Sequence, residues 1–190
     1  MINPLWDAVE ALVSAINVRN RTPGHSVDVA YYAVEIAKAI GIVGQALEEI
    51  RLAALLHDIG QIIFPDSLIQ KQGEPLNEEE RKWIYAHTYK GLEFISNWPS
   101  LKFAAPFILY HQEWIDGSGY PYGISGEAIP KEVQIVSIAD VYEACRKPRP
   151  SRNRPGLSHV ETIEEMKTMR GKRWSTDLFD LFVSVSKNWE

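Results

Sequence analysis

Residues 52–60 read LAALLHDIG, an apolar run that ends on His57 and Asp58. Apolar residues recur at helical spacing upstream of it, so the pattern predicts a helix over 45–57 that carries the His-Asp pair at its end. Two polar side chains so close to an apolar run are partly desolvated. A divalent metal takes neutral imidazole and carboxylate as ligands and offsets the cost of burying the carboxylate. The alternative is a core histidine bonded to its own helix end, with Asp58 capping the next turn. On these residues alone the alternative is the commoner arrangement, because buried polar groups generally have partners.

Helical signals continue on both sides. Asn3 and Pro4 open a first helix, with Leu5, Val9, Leu12, Val13 and Ile16 at helical spacing. Thr22 and Pro23 open a second that runs to about residue 40, with Gly41 and Gly44 as stops. Asn77 and Glu80 form a capping-box pair opening a helix to about 95, and Ser158 and Glu161 repeat the signal. A last helix starts near Ser175 or Thr176. Residues 133–138, VQIVSI, are rich in β-branched side chains. The apolar pattern runs on through Ala139, Val141 and Ala144, however, and its length predicts a helix over about 130–146. No second strand of similar strength is present to pair with it. The chain reads as one all-α domain spanning 1–190, a helical bundle with two long polar loops at 60–75 and 116–130.

Composition narrows the function. The 190 residues are 45% hydrophobic, enough for one sizeable core. A net charge of −5 disfavours a nucleic-acid polymer as partner. The single Cys145 excludes an intrachain disulfide and any CxxC zinc or redox site. No apolar run approaches about 18 residues, so no membrane span is expected. The first residues lack the basic start of a signal peptide, and the expected compartment is the cytoplasm.

The histidines are His25, His57, His87, His111 and His159, and a helix separates each of the first four from the next. HExxH and H-x3–5-H pairs are absent, which excludes a zincin or a zinc finger. A bundle that brings several helix ends together would unite them, as helical bundles do when they build metal sites. The loop HQEWIDGSGYPYGISGEAIP (111–130) is neither a Rossmann loop nor a P-loop. It is either a surface loop pinned by Tyr120 and Tyr122 or a functional loop. Arg146, Lys147, Arg149, Arg152 and Arg154 form a basic run, which suits phosphate or is a solvated face.

Taken in order, RTPGHS around His25, LLHDIG around His57, AHTYKG around His87, DGSGYP at 116–121, IAD ending at Asp140 and RPSR at 149–152 resemble the HD-GYP family of metal-dependent phosphohydrolases. The resemblance covers about residues 8–184. It implies a helical bundle around a cluster of two or three divalent metal ions, often iron or manganese, two of them expected here, and hydrolysis of cyclic di-GMP. It implies His25, His57, Asp58, His87, His111 and Asp140 as metal ligands, with Asp58 bridging two metals as the catalytic carboxylate. Lys71, Arg149 and Arg152 match substrate-binding positions, and Asp116, Gly117, Gly119, Tyr120 and Pro121 form the motif loop. The resemblance also implies, as partner, a diguanylate cyclase domain or a separate regulator. The chain departs from the family pattern at Gln61, where the family has lysine, and at Gln112, where it has a second histidine. Arg21 stands where members with three metals have glutamate, and Ser151 stands at a tyrosine position. These departures imply slowed turnover and no third metal. They keep two other functions open: hydrolysis of another nucleotide or phosphoester, and ligand or partner binding without turnover.

Overall fold

The computed structural model describes residues 4–71, 74–148 and 155–189. Among them are nine α-helices and no strand. The all-α expectation holds. The helices are α1 (Pro4–Arg19), α2 (His25–Ala39), α3 (Gly44–Leu56), α4 (Asp66–Ile69), α5 (Glu78–Ile95), α6 (Ala105–Tyr110), α7 (Lys131–Arg146), α8 (His159–Lys167) and α9 (Thr176–Val185).

Helix α7 is the axis of the bundle. It buries Val133, Ile135, Val136, Ile138, Ala139 and Tyr142 almost completely. A helix apolar around most of its circumference belongs in a core, and that is why 133–138 reads like a buried strand in isolation. Helix α2 packs on α7 and α3, α1 covers α3, α8 packs on α7, and α9 packs on α2 and α7. One hydrophobic cluster runs from Val9 on α1 to Phe182 on α9.

Both capping boxes form. The side chain of Asn77 accepts from the Glu80 amide at 2.9 Å while Glu80 accepts from the Asn77 amide at 2.7 Å. Ser158 and Glu161 repeat the exchange at the start of α8. The expected start of α2 needs correction. The helix begins at His25, after Gly24 in the left-handed region at φ 79°, and no side chain caps it. The His25 amide donates to the Thr22 carbonyl, so 22–25 is a turn and Pro23 lies outside the helix. The turn makes His25 the first helical residue.

The two long loops also hold short helices. Ile59–Ile63 is a 3-10 turn, α4 follows it, and Gly126–Ala128 is a second 3-10 turn. The sequence reading leaves a further 3-10 turn, Pro99–Ala104, and α6 unassigned.

Glycine lets the His-Asp turn reach α5. A Cβ added at Gly60 would lie 1.8 Å from the His87 carbonyl oxygen and 2.6 Å from the Gly91 amide nitrogen. One added at Gly91 would lie 2.6 Å from the Ile108 side chain. Backbone therefore packs directly on backbone where the segment after Asp58 crosses α5.

Candidate metal centre

Five parts of the chain bring six side chains to one point. His25 begins α2, His57 and Asp58 follow α3, His87 sits mid-α5, His111 ends α6, and Asp140 comes from α7. All six are buried. The two oxygens of Asp58 face different histidines. Oδ2 lies 3.5 Å from His25 Nε2 and 3.4 Å from His57 Nε2. Oδ1 lies 3.2 Å from His87 Nε2 and 3.5 Å from His111 Nε2. Asp140 Oδ1 joins the first group, 3.5 Å from His25 Nε2 and 3.8 Å from His57 Nε2. Donors held about 2.0–2.2 Å from one tetrahedral ion lie roughly 3.3–3.6 Å from each other, so these spacings fit sets of atoms sharing a cation. Among the described residues, three overlapping groups are able to hold a metal ion: His25–His57–Asp58, His57–His111–Asp140 and Asp58–His87–His111.

The other ring nitrogens are committed. His57 donates Nδ1–H to the Ala54 carbonyl at 2.7 Å, and His111 donates to the Phe107 and Ile108 carbonyls at 3.1 and 3.0 Å. His87 Nδ1 bonds the Ile84 carbonyl, and His25 Nδ1 bonds Glu143 Oε2 at 2.6 Å. Such bonds fix the tautomer and aim the Nε2 lone pair at a metal. His87 Nε2 and His111 Nε2 are only 3.2 Å apart. With both Nδ1 atoms donating, two Nε2 lone pairs and the Asp58 Oδ1 oxygen converge, an arrangement that a cation held between them satisfies. His57 Nε2 and Asp58 Oδ1 are also buried without a hydrogen-bond partner among the described residues. The donors fit a divalent cation on both sides of Asp58.

The electrostatics of the metal-free cluster agree. Burial lowers the pKa of His25, but hydrogen bonds to Asp58 and Glu143 outweigh it and push it up to about 9. Burial raises Asp58, yet the His57 charge and the neighbouring His111 and His25 imidazoles hold it well below the usual carboxylate range. Burial, with repulsion from His57 and His87, lowers His111. Cation binding must therefore displace a proton from His25.

Among the described residues, His25, Asp58, His87 and Asp140 line a cavity of about 380 Å³ that also touches Gln61, Gln112, Tyr120 and Arg173. Gln112 is a brace between two groups. Its Nε2 donates to Asp140 Oδ2 at 3.3 Å, and its Oε1 accepts from Arg173 Nη2 at 3.0 Å. Arg173 is itself buried between the rings of Trp114 and Trp174. Arg21, in the left-handed region at φ 60°, is exposed and outside this cavity.

In the motif loop, most side chains shape the backbone. Asp116 is exposed and accepts from the Ser118 amide and hydroxyl at 2.9 and 2.6 Å, away from the cluster. Gly117 adopts φ 82°. A Cβ on Gly119 would lie 2.4 Å from the Trp114 amide nitrogen. Pro121 follows Tyr120 through a cis peptide bond. Buried Glu113 clamps the loop by accepting from the Tyr122 and Gly123 amides at 2.7 and 3.1 Å. Tyr120 stacks on Tyr85 with centroids 4.2 Å apart and turns an edge toward His87.

Lys71 is not at the cluster. It lines a neighbouring cavity and pairs with Glu80 at 2.5 Å. Arg149 and Arg152, and with them Ser151, lie outside the described residues. His159 bonds the Tyr142 hydroxyl at 3.0 Å. Sequence reasoning missed Glu143, Arg173 and the brace through Gln112. Glu143 follows Asp140 by one helical turn, and that spacing was its visible signal.

Gln112→Ala breaks the link from Arg173 to Asp140. Loss of such an outer partner typically weakens metal binding about 10–100-fold. Competition with a chromophoric chelator is expected to show a decrease of that size.

A helical bundle with a histidine–carboxylate cluster between its helices defines an all-α domain with groups able to hold a metal ion. The HD domain family matches residues 8–178, and the chain belongs to it, in the HD-GYP group. The chain is 34% identical over 186 residues to a cyclic di-GMP phosphodiesterase of Thermotoga maritima, covering 96% of this chain and 50% of that protein. It is 32% identical over 165 residues to 3'3'-cGAMP-specific phosphodiesterase 1 of Vibrio cholerae, covering 87% of this chain and 38% of that protein. The chain thus spans half or less of these relatives' length. A solved cyclic GMP-AMP-specific phosphodiesterase of V. cholerae shares the fold at a TM-score of 0.70 and 17% identity, over 95% of this chain and 49% of that one. No helix among the described residues is long and apolar enough to cross a membrane.

Proposed function

We propose that the chain is a cytoplasmic phosphodiesterase domain, 1–190 with its core at about 8–184, that hydrolyses cyclic di-GMP at a dinuclear centre of iron or manganese. The observation carrying this reading is Asp58, whose two oxygens each face a different pair of histidine Nε2 atoms. His25, His57 and Asp140 serve one position, and His87 and His111 serve the other. Divalent cations held there would supply Lewis acidity and would lower the pKa of a water. The chain's own part is to hold that geometry rigidly. Four Nδ1 bonds orient the imidazoles, and Gln112 and Glu143 brace Asp140 and His25. Tyr120 walls the cavity. Arg149 and Arg152 grip substrate phosphate in this reading, and Lys71 lies along the adjoining cavity.

A relative named for 3'3'-cGAMP supports that dinucleotide as a second substrate. Gln61 and Gln112 supply neither a cationic donor nor an imidazole, so turnover is slower than in relatives with the full motif. The test is chromatography of cyclic di-GMP incubated anaerobically with protein loaded with iron(II) or manganese(II). Release of pGpG or GMP is expected. Intact substrate after a day, with both ions bound, would leave a binding role or a different phosphoester in its place.

A further inference from the structure

Arg173 lies on the segment between α8 and α9, and it lines the cavity that holds the metal cluster. It is buried, and its guanidinium bonds to groups beside three of the cluster's elements. Nε donates to Ser137 Oγ at 3.1 Å, while Nη2 donates to Gln112 Oε1 at 3.0 Å and to the His111 carbonyl at 3.4 Å. Ser137 precedes Asp140 by about one turn of α7 and also accepts from Trp174 Nε1 at 3.1 Å. The guanidinium carbon lies 5.5 Å from the centre of the Trp114 ring and 5.5 Å from that of Trp174. The backbone is tied as well. The amides of Ile115 and Asp116 donate to the carbonyls of Arg173 and Lys172 at 3.4 and 3.0 Å. Held by these contacts, the guanidinium is a fixed donor.

An arginine donates and cannot accept, and an ionised carboxylate accepts and cannot donate. An amide set between the two has one workable sense, oxygen toward Arg173 and nitrogen toward Asp140. Gln112 adopts it, with Nε2 3.3 Å from Asp140 Oδ2. Glutamine ligates a hard cation through its oxygen, and here that oxygen is turned to Arg173. Asp140 Oδ2 takes the amide, and Oδ1 faces the cluster, 3.5 Å from His25 Nε2. We propose that Arg173 is a positioning residue of the metal centre: it fixes the sense of the Gln112 amide, so that Gln112 steers Asp140 to bind through one oxygen and stays out of the ligand set itself. The inference rests on the metal centre of the phosphodiesterase reading, but its test needs no hydrolysis. Gln112, a departure from the family pattern, is on this account half of a pair with Arg173.

The experiment is a double-mutant cycle on manganese(II) affinity, read by competition with a chromophoric chelator. It compares wild type, Arg173→Met, Gln112→Ala and the double variant, each with its melting curve. Methionine keeps an unbranched apolar side chain between the two indoles. Each single change is expected to weaken binding about 10–100-fold. Residues that act in series lose the same contribution once, so the double variant is expected within about twofold of the weaker single one. Losses that multiply, or an unmoved affinity in folded Arg173→Met, overturn the inference. Should Arg173→Met not fold, a crystal structure of manganese-loaded wild type decides. Asp140 bound through one oxygen, with Gln112 unbound, is expected; Gln112 Oε1 at ligand distance, about 2.0–2.2 Å from an ion, overturns it. Wild type that binds no manganese(II) overturns both this inference and the centre. Cyclic di-GMP turnover is scored separately. Losses that coincide, without turnover, keep the role of Arg173 and sink the phosphodiesterase reading; turnover with losses that multiply does the reverse.

Discussion

Replacing Asp58 with alanine is expected to abolish metal binding on both sides of the cluster and to lower phosphodiester hydrolysis by at least about 10³-fold, because a water no longer bound to a cation has its pKa back near 15.7 instead of about 7. Asp58 is the carboxylate both histidine pairs share, with oxygens 3.2–3.5 Å from four Nε2 atoms. Losing Asp140 leaves the His87–His111 side with its carboxylate; losing Asp58 removes one from each side. Asp58→Asn keeps the side-chain volume and controls for folding. It too is expected to bind far less metal, since an amide is a poorer ligand with only one oxygen. Elemental analysis alongside melting curves checks both. Full metal content in folded Asp58→Ala would contradict the bridging role.

Gly60→Ala is expected to have the largest effect on stability. The new methyl would meet the His87 carbonyl oxygen at 1.8 Å and the Gly91 amide nitrogen at 2.6 Å. Neither neighbour is a flexible side-chain tip, so the segment after Asp58 must separate from α5. Overpacking of this kind costs about 3 kcal/mol or more. At roughly 2–4 °C per kcal/mol for a domain this size, the melting temperature falls by about 6–12 °C. The separation also carries His87 away from Asp58 Oδ1, so folded protein is expected to lose metal from the His87–His111 side first. Thermal denaturation with metal analysis tests this. A variant melting within 2 °C of wild type with full metal content would show that the crossing is looser than described.

Much of the bundle was legible because local signals agreed with the packing. Asn77 with Glu80 and Ser158 with Glu161 marked helix starts without tertiary information. α7 was legible through length, since its apolar pattern outlasts any ordinary strand. The start of α2 was not, because Thr22 and Pro23 carry the usual signature while Gly24 takes the left-handed turn that delays the helix to His25. The six cluster residues stood out through motif order rather than spacing, since separate helices deliver them. What fixes their aim was invisible. Three of the four histidines donate to backbone carbonyls, which have no sequence signature. Glu80 shows a similar limit. Read as a capping residue, it also holds Lys71, and only the folded chain brings the two together.

The most direct test of the account is crystallography of the manganese- or iron-loaded protein with anomalous scattering recorded at the metal edge. Two peaks flanking Asp58 are expected, one bound by His25, His57 and Asp140 and the other by His87 and His111, with ligand bonds of about 2.0–2.2 Å. A single peak, or peaks bound by residues other than these six, would contradict it.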